Sequence, residues 1–329
     1  MFAKASLAQL VRATAITAAA ITFTAQGAHA QNYPTRPIQL IVPFAAGTTT
    51  DLLARQVSEK MSELLGQRLV IENKAGAGGT IGTEFAAKGA TDGYTLLFGT
   101  GQTQGVNVSL YKNFKIDPMT EFLPVAKIAS QPLVLVVNPG IPAKSVSELV
   151  ALARKEPDKF TFASTGGGSS PHLAGSMFNR AADLKLLHVP YNNAQVFPDL
   201  LSGRTSLMFY PYLPLKGYIE SKQLIPLAVT GSTRLPELPD VPTMVENGYA
   251  DLVIAPWYAV YAPAKTPAAI VAQLSDVIKR SLADADLRGR LANTGTTIDY
   301  QSPADLAAFN ASEIKRFKTI VELSGASVN

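Results

Sequence analysis

Short apolar runs rich in β-branched residues recur along this chain, and between them the apolar positions fall at helical spacing. The runs at 38–43, 68–72, 94–99, 133–137, 160–163, 186–189, 205–210 and 225–229 read as strands, because a short apolar β-branched stretch fits a buried strand better than a helix. Helical patterns lie at 51–65, 80–88, 145–155, 171–181 and 194–202. Strands alternating with helices predict the α/β class, with parallel sheets wrapped by helices. Late in the chain the balance shifts to helix, at 267–283, 284–293 and 303–323, the first opening on Thr266 before Pro267, a good cap followed by a good first helical residue.

Two segments share one design. IQLIVPFAAGTTTDLLARQVSEKM at 38–61 and KFTFASTGGGSSPHLAGSMFNRA at 159–181 each run from a strand through a Gly/Thr/Ser loop into an amphipathic helix. Such a loop places free backbone N–H groups and small hydroxyls at a helix N-terminus, where unpaired donors and the helix dipole attract an anion. Two such loops predict two lobes gripping one negatively charged ligand. Asp51 is better read as a helix cap than as a ligand group, since a free acid there would repel the anion.

Composition narrows the picture. Lys4 and Arg12 open a stretch whose residues 13–25 carry no charge, and Ala28-His29-Ala30 offers a small-residue cleavage site, so residues 1–30 are expected to be a signal peptide removed after Ala30. Its apolar part is shorter than the ~20 residues a membrane span needs. The precursor carries a formal +4 and the leader two positive charges without acids, which leaves 4 − 2 = +2 for the mature chain. That small excess, without a basic stripe and interleaved aromatics, argues against nucleic acid. No cysteine is present, which excludes disulfides, a thiol nucleophile and thiolate metal sites.

The stretches KIASQPLVLVVNPG and DLVIAPWYAVYAPA each read as a strand able to carry the chain between lobes. If both cross, lobe one comprises 31–130 plus 256–329 and lobe two comprises 131–255. Periodicity alone equally allows one large sheet containing both.

The order YPTRPIQLIVPFAAG, ENKAGAGGTIGTEFAAKGATDGYTLLFGT, FASTGGGSSPHLAGSMF, VPY, LAVT, LPDVPTMVENGY and YAPAKTP closely resembles the Bug family of periplasmic solute receptors, which serve tripartite tricarboxylate transporters. The resemblance covers nearly all of the mature chain. It implies an α/β, two-lobed periplasmic-binding-protein (Venus-flytrap) fold with a hinge, the discontinuous lobe arrangement, a small-molecule carboxylate in the cleft, no cofactor or metal, and no catalysis. Membrane transporter subunits would be the partners, and the receptor itself a periplasmic monomer.

Residues and resemblance converge on one set of candidates. In the first loop these are Phe44, Ala46, Thr48 and Thr49; relatives carry more glycine there, and each threonine adds a hydroxyl donor. In AGAGGTIG, Ile81 stands where a dinucleotide fingerprint needs its third glycine, so Gly78 reads as a turn at the cleft entrance. Gln102, Thr103 and Gln104 offer neutral donors, Gln104 standing where relatives often have His. From the other lobe come Ser164, Thr165, Ser169 and Ser170, then Tyr191 and Asn192, then Tyr210 and Tyr212. Where relatives read like MFDSLP this chain has MFYPYLP. The missing acid argues against an amino-acid ligand, and the tyrosines offer flat faces for an aromatic ring. The expected ligand is therefore a small carboxylate, with an aromatic dicarboxylate such as terephthalate as the sharper hypothesis.

Two other functions compete. A periplasmic hydrolase would need a positioned base and a G-x-S-x-G elbow; the elbow is missing, and His172 and His188 are the only histidines outside the leader. His172 is read as a capping or packing residue. A receptor that signals to a membrane partner uses the same closing lobes, and the sequence does not separate it from transport.

Overall fold

The computed structural model describes residues 33–191 and 195–324; the expected leader and Asn192 lie outside them. Its first unit shows how local sequence builds the scaffold. Strand β1 (Ile38–Val42) leads through the loop to helix α1 (Thr49–Leu65). Leu53, Ala54, Val57 and Met61 recur at helical spacing and are buried against the sheet core; full burial of a side chain such as Leu or Met contributes roughly 1.5–3 kcal/mol. Thr48 caps the helix start, and Gly66 ends it in the left-handed conformation, which glycine adopts without steric cost.

Strands β2 (Leu69–Asn73) and β3 (Thr95–Thr100) flank β1 in parallel, with helix α2 (Thr80–Ala87) between them in sequence. Three further strands complete the sheet: β4 (Phe122–Ser130), β10 (Trp257–Pro263) and β11 (Thr297–Gln301), in the order β11-β4-β10-β3-β1-β2. The second sheet is built from β5 (Leu133–Val137), β6 (Thr161–Ser164), β7 (Leu187–Pro190), β8 (Leu207–Pro211) and β9 (Ile225–Val229), in the order β7-β6-β8-β5-β9. Helices α3 (Val146–Lys155), α4 (Ser170–Ala181), α5 (Val196–Leu201) and α6 (Tyr212–Glu220) belong to this part of the chain. Helices α7 (Ala268–Ala283), α8 (Ala285–Ala292) and α9 (Pro303–Ser324) follow β10. None of the helices among the described residues is long and apolar enough to cross a membrane.

The expectation of parallel sheets is corrected: both are mixed. Strand β10 runs antiparallel to β3 and β4, and β5 runs antiparallel to β8 and β9. The cause is the crossing between sheets. Strand β4 passes into β5 through Gln131 and Pro132, and the segment after β9 returns to β10, so each sheet accepts a strand arriving from the opposite side. The two crossing segments are tied together. Gln131 N donates to the Pro256 carbonyl at 2.8 Å, Leu133 N donates to Thr230 Oγ1 at 2.9 Å, and Thr230 Oγ1 donates to the Ile254 carbonyl. The two crossings, at Gln131–Pro132 and at Ile254–Pro256, thus lie side by side between the sheets, the geometry of a hinge.

Helix α6 and strand β11 are absent from the sequence reading. The first contains Pro214 and Gly217, which weaken any helical signal although Pro in the first turn is tolerated; the second, TIDYQ, is only partly buried and polar. The lobes also meet through apolar side chains. Leu110, at the end of a short helix Asn107–Leu110, packs with Val106, with Leu173 of α4 and with Phe317, Ile320 and Val321 of α9.

Candidate functional site

The N-termini of α1 and α4 open on one cavity of about 180 Å³ between the sheets. Phe44, Thr50, Thr100 and Gln102 line it from the first lobe, and Thr165, Ser169, Ser170 and Tyr210 from the second. Ile254, Ala255 and Pro256 of the returning segment contribute further wall, together with Tyr258 of β10 and Phe317 of α9. None of these lining residues is an acid, a lysine, an arginine or a histidine. Burial raises both phenols above their usual range, so Tyr210 and Tyr258 stay protonated. Tyr258 donates to Gln131 Oε1 at 3.2 Å. The cavity therefore offers neutral donors, two helix dipoles and aromatic faces, a set suited to an anion with an apolar body.

Behind the first loop, Asp51 is 1 % exposed and accepts hydrogen bonds from Gly47 N, Arg55 Nε and Asn73 Nδ2, each at 2.9 Å. Burial pushes its pKa up, but the bonds from Arg55, Gly47 and Asn73 outweigh that and hold it below the ordinary value. The carboxylate is thus neutralised within its own lobe and fastens the loop without facing the cavity. Behind the second loop, Gly168 N donates to His172 Nδ1 at 3.0 Å, and Ser164 Oγ pairs with His188 Nε2 at 2.7 Å.

Of the residues expected in the site, Phe44, Gln102, Thr165, Ser169, Ser170 and Tyr210 line the cavity. Ser169 also caps α4, accepting from His172 N and donating to the Gly166 carbonyl at 2.7 Å. The others are placed elsewhere. Ala46 is exposed on the loop. Thr48 spends its hydroxyl on the Ala45 carbonyl and the Asp51 amide. Thr49 begins α1 outside the lining set. Gly78 sits in the left-handed region, accepts from Asn107 Nδ2, and packs against Gln102 and the Tyr111 hydroxyl.

The remaining expected residues among those described are engaged within the scaffold or buried in it. Thr103 is fully buried and closes the end of β3 through Thr100. Gln104 is fully buried away from the cavity, with no hydrogen-bond partner for either amide atom among the described residues. The Ser164 hydroxyl is taken by His188 and Gly166. Tyr191 donates to Asp199 at 2.8 Å. Tyr212 is corrected outright: it is 4 % exposed and packs with Leu215, Leu224 and Val229 in the second lobe's core, because Pro211 turns the chain into α6 and carries the side chain inward.

Thr100, Ile254, Tyr258 and Phe317 line the cavity without having been expected there, and Thr50, the end of the first loop, lines it as well. Thr50 had a signal, since the first turn of an anion-facing helix is where a hydroxyl is useful. Phe317 had none; it occupies one ordinary apolar position of a long C-terminal helix. No group of acids or histidines among the described residues has metal-holding geometry.

The profile described as "Tripartite tricarboxylate transporter family receptor" matches residues 53–326. The chain belongs to that receptor family. It is similar to BugT of Bordetella pertussis, 35% identical over 301 residues, covering 91% of this chain and 92% of that one. Among solved structures it resembles Rpa4515 of R. palustris with adipate, with a TM-score of 0.80 and 34% identity, covering 90% of this receptor and 99% of that chain. It also resembles the periplasmic binding protein BugD, with a TM-score of 0.77 and 34% identity over 90% of this chain and 99% of that one. The family consists of solute-binding receptors, and the two-lobed fold of this receptor is theirs.

Proposed function

We propose that this receptor captures a small organic carboxylate in the periplasm, after removal of residues 1–30, and delivers it to the membrane subunits of a tripartite transporter without altering it chemically. Lobe one is taken as residues 31–130 plus 256–329 and lobe two as residues 131–255. The observation that carries the reading is the interlobe cavity, where two helix N-termini meet and, among the described residues, no ionised side chain lines the wall. A carboxylate there is held by amides, hydroxyls and dipoles; each hydrogen bond to a charged group contributes about 1.5–3 kcal/mol, and closure over it strengthens every one by excluding water. Rpa4515, solved with adipate, supports a dicarboxylate.

The finer reading is an aromatic dicarboxylate such as terephthalate. Phe44, Tyr210, Tyr258 and Phe317 supply aromatic surface around the cavity, and no acid waits for a ligand amine. Calorimetric titration with terephthalate, benzoate, the phthalate isomers, adipate, succinate and citrate tests both levels. Tightest binding of terephthalate is expected; preference for adipate or succinate rejects the aromatic reading, and failure of every anion rejects the carboxylate reading itself.

A further inference from the structure

The loop at residues 164–170 rests on two imidazoles, neither of which lines the cavity. His172 in the first turn of α4 and His188 on β7 stack with ring centroids 3.9 Å apart and planes 16° apart, and Phe162 of β6 covers His188 at 4.8 Å. Each ring holds a different point of the loop. His172 Nδ1 accepts from Gly168 N at 3.0 Å, and His188 Nε2 pairs with Ser164 Oγ at 2.7 Å, which in turn accepts from Gly166 N at 3.1 Å. An amide N–H can only donate, so Nδ1 of His172 carries no proton and the neutral ring holds its proton at Nε2. The anchored residue is the one with least freedom. Gly168 has φ +75°, and a Cβ there would meet Leu110 of the other lobe at 2.3 Å.

We propose that His172 and His188 are positioning residues for the carboxylate loop of the second lobe, and that capture requires His172 to be neutral. This rests on the carboxylate reading of the cavity. A proton on Nδ1 would set two donors against each other at Gly168 and charge a buried ring stacked on a second imidazole. Among the described residues no compensating carboxylate faces the pair. On β6 the neighbours are Phe162 and Ser164; on β7 the titratable neighbour is His188 itself; Tyr210 of β8 stays protonated. Beyond β7, Asp199 is engaged by Tyr191 and Arg204. Arg180 stands at the far end of α4, and Arg316 of α9 is held by Glu313 and the Val253 carbonyl. Burial, followed by the charge of His188, accordingly depresses His172 to about 4.

The ligand-free protein decides the anchoring. Imidazole nitrogen shifts should place the His172 proton on Nε2, and the Gly168 amide should be protected from hydrogen exchange. His172→Phe keeps the stack but loses the acceptor, and should speed Gly168 exchange by ~3- to 10-fold. His172→Asn puts Oδ1 near the place of Nδ1, and should restore protection while abolishing its pH response. Equal Gly168 exchange in wild type and His172→Phe, or an unchanged pH response in His172→Asn, overturns the proposal.

Binding of whichever of terephthalate or adipate is tighter at pH 7.5 is then compared between wild type and His172→Asn as the pH is lowered, so that protonation of the ligand cancels. At pH 4 the wild type should be weakened about twofold relative to the variant, because only the neutral fraction is competent; a flat ratio overturns the pH requirement. Should none of the anions titrated above bind the wild type, the carboxylate reading fails, and the Gly168 measurements still judge the pair.

Discussion

The two strand–loop–helix units of this receptor have the same plan and opposite fastenings. In the first lobe the loop is tied by a buried ion: Asp51 gathers the Gly47 amide, Arg55 and Asn73. In the second it is tied by neutral rings, His172 on Gly168 and His188 on Ser164. Each arrangement leaves the cavity wall itself without a charged side chain, so a donor-rich loop can be stiffened by charge or by imidazole provided the charge is compensated inside its own lobe. The lobes differ also in how tightly their glycines are enclosed. Gly47 and Gly168 both have left-handed φ, yet a side chain at Gly47 would meet open space while one at Gly168 would enter Leu110.

The sharpest way to break this contrast is at the glycines. Gly168→Ala combines left-handed strain with overpacking and should destabilise the protein by about 2–5 kcal/mol in chemical denaturation. Gly47→Ala meets only the first of these and should cost about 1–2 kcal/mol. Equal losses would show that Leu110 gives way freely. Next comes Asp51→Ala, which strands the Gly47 and Asn73 donors and the Arg55 guanidinium; a loss of about 2–3 kcal/mol is expected, with Asp51→Asn milder because it keeps an acceptor oxygen.

The cavity hydroxyls test whether both loops grip. Thr50→Val and Ser170→Ala should each weaken carboxylate binding by about 1.5–3 kcal/mol with folding stability nearly unchanged. An effect confined to one lobe would assign the anion to that loop alone. The smallest difference is one of pH. The folded-state pKa of His172 lies below its unfolded value of about 6.5, so the unfolded chain binds more protons between about pH 6.5 and 4 and stability falls as pH drops through that window, by at most ~1.4 kcal/mol per unit. Asp51 is also lowered; its contribution is present above the unfolded carboxylate value of about 3.9 and disappears only as the pH falls through the folded one. Acid should therefore loosen the second lobe's loop before the first, and His172→Asn should shrink the earlier phase in a denaturation series run from pH 7 to 3, leaving the part that His188, also lowered by burial, contributes.

Much of the scaffold was legible because local physics writes it. The β1-loop-α1 and β6-loop-α4 units and the helix of residues 303–324 follow from spacing, small residues and turn chemistry, whereas the caps fall to Thr48 and Ser169 instead of Asp51. Half of the story at the cavity was legible too: Ser169, Ser170 and Gln102 stand at helix starts or strand ends where a hydroxyl or amide faces outward. The errors share a cause. Thr48, Ser164 and Thr103 look like free donors in the chain, yet each satisfies a backbone group within a few residues, because short hydroxyl side chains bond their own neighbourhood first. Tyr212, two residues beyond the cavity-lining Tyr210, was assigned to the same surface because both stand where relatives read like MFDSLP, but the chain has already turned into α6 there.

The amino-acid order by itself determined the α/β class, the receptor family, the absence of thiol chemistry and the two donor-rich helix starts, since all of these depend on residues near one another along the chain. Tertiary structure alone decided that β10 and β5 run against their neighbours, that Phe317 joins Phe44 at one cavity, and that the rings of His172 and His188 stack beneath a loop. Those outcomes depend on which distant segments are brought together when apolar surface is buried, and a pattern of period 2 or 3.6 carries no record of that choice.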